Sequence, residues 1–147
     1  MRRKGAFSLI EVLMASFLAA LCAAVLAASI PTATQSRLKA SYTSLALSLA
    51  QKEIEAIRTR GYPNVSGAQL AALGLLDSAS PVSANTFSFT NVDQPLFDSP
   101  ADLLPNGRGF VTIEQADLDL RRVVVTVEWS ENGRLRSLSL GTLVANL

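Results

Sequence analysis

The sequence predicts an α+β fold in which one long amino-terminal helix precedes a small antiparallel β-sheet. Three observations predict it. Residues 7–30 run for twenty-four positions in which only Ser8, Glu11, Ser16 and Ser29 interrupt apolar side chains. Beyond them, apolar residues recur at helical spacing to about Arg60. In the last third, two alternating runs flank Asn132-Gly133, the dipeptide favoured in the type I′ turn of a two-residue β-hairpin.

As an α-helix rising about 1.5 Å per residue, residues 7–30 measure roughly 36 Å, enough to cross about 30 Å of hydrocarbon with some tilt. The apolar part of a secretory signal peptide is usually only about 7–15 residues long and ends at a cleavage site of small residues, so this run is read as a transmembrane helix. Arg2, Arg3 and Lys4 stand before it. The positive-inside rule keeps them cytoplasmic, which makes the chain a single-pass inner-membrane protein with its remainder in the periplasm or outside. Glu11 lies within the run, where an unpaired charge costs about 2.5–3.5 kcal/mol on insertion scales. It calls for a partner; the plain alternative is a signal anchor with an incidental Glu that snorkels to the interface.

Residues 4–15, KGAFSLIEVLMA, resemble the class III signal of type IV pilins and type II secretion pseudopilins. The shared features are a short basic leader, a small residue, and an apolar helix led by an aromatic with Glu at its fifth position. The resemblance implies a pilin-like architecture, in which the second half of the long helix packs on the sheet. It implies that a prepilin peptidase, a membrane-embedded aspartyl enzyme, cuts between Ala6 and Phe7, and that Phe7 becomes N-methylated. Counting Phe7 as one makes Glu11 five, whereas a cut after Gly5 would make it six. The family usually has Gly before the cut, where this chain has Ala6. The resemblance also gives Glu11 its partner: the new α-amino group of Phe7 in a neighbouring subunit, two charges neutralising each other inside a bundle of membrane helices.

A second, narrower resemblance lies in residues 45–65, LALSLAQKEIEAIRTRGYPNV. Ala46, Leu49, Ala50, Gln51, Ile54 and Glu55 match a run shared by the minor pilins known as type IV pilus modification proteins and by the equivalent minor pseudopilins. Many major pilins close a carboxy-terminal loop with a disulfide. This chain has one cysteine, Cys22, inside the span, so the exported part has no intramolecular disulfide, and the departure points to a minor subunit.

Composition narrows the function further. The 117 residues beyond Ile30 suit one small domain. Thirteen Lys and Arg stand against twelve Asp and Glu, and with three basic residues lost ahead of the cut the balance becomes ten against twelve. That balance favours neither nucleic acid nor anionic lipid as a general partner. There is no histidine, which excludes histidine triads, histidine zinc ligands and histidine proton shuttles.

Taken in order, Pro31 lacks an amide hydrogen to donate, and a bend is expected there. Leu38, Tyr42, Leu45 and Leu49, with Ala46, Ala50, Ile54 and Ile57, form the core-facing stripe of the following helix, which ends at Gly61-Tyr62-Pro63. Ser66 caps a short helix closed by Gly74. From Asp77 to Gly109 the chain is loop, since Pro81, Pro95, Pro100 and Pro105 forbid long regular elements. The exceptions are a strand at residues 86–90 and a helical turn opened by Ser99-Pro100. Phe110 to Ile113 is a strand, and Arg121 to Ser130 and Arg134 to Leu143 form the hairpin. With Asn132-Gly133 as its loop, Val127 meets Leu138, Val125 meets Leu140 and Trp129 meets Arg136, which puts the apolar residues on one face.

Three polar groupings are weighed for chemistry. Asn91, Asp93, Asp98, Asp102 and Asn106 supply the oxygen ligands that Ca²⁺ takes, but their spacing is not that of an EF-hand, and they read as a solvated loop. Asp117 and Asp119 are unaccompanied by a nucleophile or base and read as turn residues. Arg108, Arg121, Arg122, Arg134 and Arg136 could gather as a DNA-capturing patch; Glu114, Asp117, Asp119, Glu128 and Glu131 share their segments, which favours a salt-bridged face.

The expected organisation is a leader over residues 1–6, a transmembrane helix over 7–30, its amphipathic continuation over 31–60, and an exported loop and sheet domain over 61–147. The expected function is that of a minor type IV pilus subunit, without enzymatic activity, metal or cofactor. Its partners would be the prepilin peptidase, other pilin or pseudopilin subunits and the inner-membrane assembly platform. The alternatives are a minor pseudopilin of a type II secretion system and a membrane-anchored module that binds a ligand or DNA.

Overall fold

From Leu9 the chain offers alanine, leucine and other good helix formers, and helix α1 runs over Leu9–Thr59, 51 residues. The computed structural model describes residues 8–92 and 98–146, and of residues 29–35 the backbone alone. The expected leader, Ala6 and Phe7, Asp93 and Pro95 lie outside the described residues. Position 31 does not interrupt the helix. A proline within a helix removes one backbone bond, and the neighbouring turns suffice to continue it.

The chain divides at Lys39–Ala40 into two compact units. The first carries the exposed part of α1. The second holds the end of α1 and every later element. Arg58 lies in the last turn of α1, where a cation suits the helix dipole. Gly61 then takes φ 74° and a single 3₁₀ turn follows over Tyr62–Asn64. Helix α2, Gly67–Ala72, begins as expected at Ser66, whose Oγ accepts from the Gln69 amide at 3.4 Å.

Four antiparallel strands form one sheet in the order of the chain: β1 (Thr86–Ser88), β2 (Arg108–Asp117), β3 (Leu120–Glu131) and β4 (Arg134–Ala145). The hairpin has the expected register, with Glu131 opposite Arg134, Val127 opposite Leu138 and Val125 opposite Leu140. Asn132 and Gly133 have φ 50° and 74°, as a type I′ turn requires. β2 is longer than the expected four residues and pairs with β3 from Arg108 to Asp117, with an irregularity between Gln115 and Asp117. Its far half is polar and is held by pairing, which its own hydrophobic pattern does not announce. β1 is shorter than expected.

β3 supplies the centre of the core. Val123, Val125, Val127 and Trp129 are buried on one face and alternate with more exposed residues. Ala46, Leu49, Ala50 and Ile57 of α1 share one buried cluster with them and with Val65, Leu70, Phe89 and Val111. Two glycines mark close approaches: a Cβ on Gly67 would stand 2.1 Å from the Phe87 ring, and one on Gly109 would stand 2.6 Å from Phe89. The loop between α2 and β1 is tied by Asp77, whose carboxylate accepts from the amides of Thr90 (2.8 Å) and Asn91 (2.9 Å). Ser99 caps the short helix α3, Pro100–Leu103, through the Asp102 amide at 3.2 Å.

Candidate functional site

The first unit's described side chains, through Ala28, are all exposed. Leu9, Ile10, Val12, Leu13, Met14, Phe17, Leu18, Leu21, Val25 and Leu26 together cover every side of the helix. A helix that is apolar all round is buried in a large core or in a membrane. Here none of Leu9–Ala28 is buried within the chain, and this stretch is long and apolar enough to cross a membrane. One of its polar groups is accommodated locally. Ser16 Oγ donates to the Leu13 carbonyl at 2.9 Å, which satisfies the hydroxyl on the helix's own backbone.

Glu11 occupies the first turn of α1. Its amide donates to the Ser8 carbonyl at 2.9 Å, and that of Val12 donates to the same oxygen at 3.2 Å. The carboxylate thus lies where the positive end of the helix dipole favours it. Among the described residues no side chain forms an ion pair or hydrogen bond with it. Ala6 and Phe7 are outside the described residues, so the expected processing site and Glu11 are not brought together in one view.

Glu53 is the residue that the sequence reading missed. It is 2% exposed, and among the described residues its Oε1 has no hydrogen-bond partner. Burial pushes its carboxyl up to about 8, so the group is protonated through most of the neutral range. The signal was present: Ala46, Ala50, Glu53 and Ile57 follow helical spacing, and Glu53 interrupts that line. The expected stripe gave the place to Ile54, which is only partly buried. Glu55, matched in the second resemblance, is exposed and paired with Arg58 at 3.4 Å.

The arginines of the sheet do not share one patch. Arg121 lies on the core side, donates to the carbonyls of Tyr62 (3.1 Å) and Val65, and stacks over the Tyr62 ring at 4.5 Å. Arg136 pairs with Glu131 at 3.2 Å. Arg108 stands opposite Glu128, and Arg122 opposite Glu114. Asp117 Oδ1 accepts from the Leu118 amide at 2.7 Å, and Asp119 accepts from Asn146, so both serve their turn. Asp102 is bonded to Ser99, and Asn106 takes φ 50° in a turn. Among the described residues no three acidic or cysteine side chains gather as a metal-binding group. Among the described residues nothing covers the apolar helix headed by Glu11.

No protein-family model, curated protein or solved structure matches this chain.

Proposed function

We propose that the protein is a minor structural subunit of a type IV pilus, anchored by the first part of α1 and assembled through it, with a pilin-like domain carried outside the membrane. One observation carries the reading: a helix apolar on every side, exposed along Leu9–Ala28, has a single carboxylate in its first turn. Lipid covers such a helix before assembly, and the same helices of neighbouring subunits cover it afterwards. Glu11 is costly in lipid, and its place is explained when a positive group meets it inside a bundle. The α-amino group that cleavage between Ala6 and Phe7 would create has the right charge and lies one turn away in sequence. The end of α1 has a different task, since it closes the core of the exported unit.

Prepilin peptidase would make the cut, the inner-membrane platform would deliver the subunit, and other pilins would receive it. No enzymatic step falls to the chain itself. Intact mass and amino-terminal sequencing of the exported protein test this. N-methylated Phe7 at the terminus is the expected result; retention of Met1, or a cut near Ala28, would remove the basis of the reading.

A further inference from the structure

β4 is one edge of the sheet and differs from the other. β1, with three residues, is too short to template another strand. β4 has twelve, and its outer side pairs with no described strand. Natural edges are blunted by charge, proline, bulges or shortness. From Ser137 to Ala145 there is no charge and no proline, and the register with β3 is unbroken. The two-residue loop makes Glu131 and Arg134 the hydrogen-bonded pair that closes the hairpin. The backbone groups of Leu135, Ser137, Ser139, Gly141 and Leu143 therefore point away from β3.

The side chains of this strand are arranged symmetrically about Ser139. On the outer face Leu135 and Leu143 are equidistant from it, as are Ser137 and Gly141; on the core face Leu138 and Leu140 flank it. Leu135 and Leu143 are 69% and 58% exposed, and Leu138 and Leu140 are only partly buried. A strand of this pattern complements an antiparallel copy of itself, which is what an isologous two-fold interface requires.

We propose that β4 is a homodimerisation edge, at which a second copy of the chain pairs antiparallel about a two-fold axis through Ser139 and joins the two sheets into one. Ser139 then faces its own counterpart, Leu135 faces Leu143 of the second copy, and Leu138 faces Leu140. Outward-pointing residues meet outward-pointing residues, as an antiparallel ladder demands. Moving the axis to Leu138 or Leu140 would set Leu135 against Gly141 or Ala145 and lose the two Leu135–Leu143 pairs. No like charges meet, because Arg134 faces Val144 and Arg136 faces Thr142. An open groove lined by Leu120, Arg122, Gly141 and Leu143 adjoins Leu143, the residue that Leu135 of the second copy faces.

The pairing does not depend on the pilus reading. An axis normal to the sheet reverses the part of α1 that shares the sheet's core, so the paired helices run in opposite senses there. The dimer and a fibre of parallel helices are then alternative states of one subunit.

The test uses the full chain in detergent micelles with Cys22→Ser as background. On mild oxidation Ser139→Cys should cross-link to itself. Ser137→Cys should not, yet should cross-link to Gly141→Cys, whose new Cβ has ordinary contacts of 3.8 Å. Leu143→Lys removes an exposed side chain and none of the core, and Ser139→Pro removes one outward amide. Each should raise the dimer dissociation constant at least about tenfold in sedimentation. Ser139→Ala keeps the amide and should keep the dimer. A monomer at micromolar concentration, a dimer indifferent to Leu143→Lys, or self-cross-linking at Ser137 equal to that at Ser139 would each overturn the proposal.

Discussion

Glu53 shows how much one residue can set against its own fold. It stands in line with Ala46, Ala50 and Ile57, is buried, and has an oxygen with no partner among the described residues. Its carboxyl rises from 4.5 to about 8 on burial, so between those values the folded chain holds a proton that the unfolded chain releases. Stability therefore falls as pH rises through that window, by at most about 5 kcal/mol, and is insensitive to this group below it. Urea melts near about pH 5 and about pH 8 should show the wild type weaker at the higher pH. Glu53→Gln should flatten that difference and stabilise the protein at the higher value; an unchanged slope would mean that the burial argument is wrong. The sequence carried this position in its spacing, but a reading that groups apolar residues passes over a carboxylate. Whether such a group is buried is decided by what packs over it in the fold.

At the scale of elements, the hairpin was legible because its causes are local. Asn132-Gly133 sets the turn, and alternation sets the face. The extent of β2 was not legible, since Glu114 to Asp117 have no strand pattern of their own and extend the sheet by pairing with β3. Edge position likewise changes what a leucine contributes. Leu138 faces the core from the outermost strand and is only partly buried, so Leu138→Ala should cost less than the roughly 2–5 kcal/mol of a fully buried leucine. Ser137→Ala, on the opposite face, should cost under about 0.5 kcal/mol. Denaturant midpoints in which Ser137→Ala costs as much as Leu138→Ala would contradict the assignment of faces. Gly67→Ala supplies a test with opposite signs. In the first turn of α2 alanine would ordinarily favour the helix by up to about 1 kcal/mol. Here its Cβ would stand 2.1 Å from Phe87, so a net loss of about 1–3 kcal/mol is expected; a gain would show that the ring moves aside freely.

For the whole molecule, the first part of α1 separates what a single chain can specify from what, on the proposed reading, an assembly must complete. Its length and apolar composition were plain in the sequence and are plain in the helix. Among the described residues Glu11 has no partner; on the proposed reading its partner is the one the sequence resemblance implies, the α-amino group of Phe7 in a neighbouring subunit. Replacing Glu11 by Ala removes a carboxylate whose transfer into lipid is unfavourable by about 2.5–3.5 kcal/mol, so insertion of the isolated chain should be unchanged or improved. The helix should also survive, since alanine is the best helix former, at the loss of a modest dipole contribution of about 0.3–1 kcal/mol. A carboxylate that disfavours the inserted monomer can be useful only in a later state, where a positive group approaches it in a low-dielectric bundle. Glu11→Ala should therefore leave the amount of protein in the membrane fraction at or above the wild-type level while lowering its amount in sheared fibres. Glu11→Asp keeps the charge on a shorter stem and should restore part of the incorporation. Loss from membrane and fibre together would assign Glu11 to insertion or folding. Wild-type amounts of Glu11→Ala in the fibres would show that no charge pair is needed for assembly.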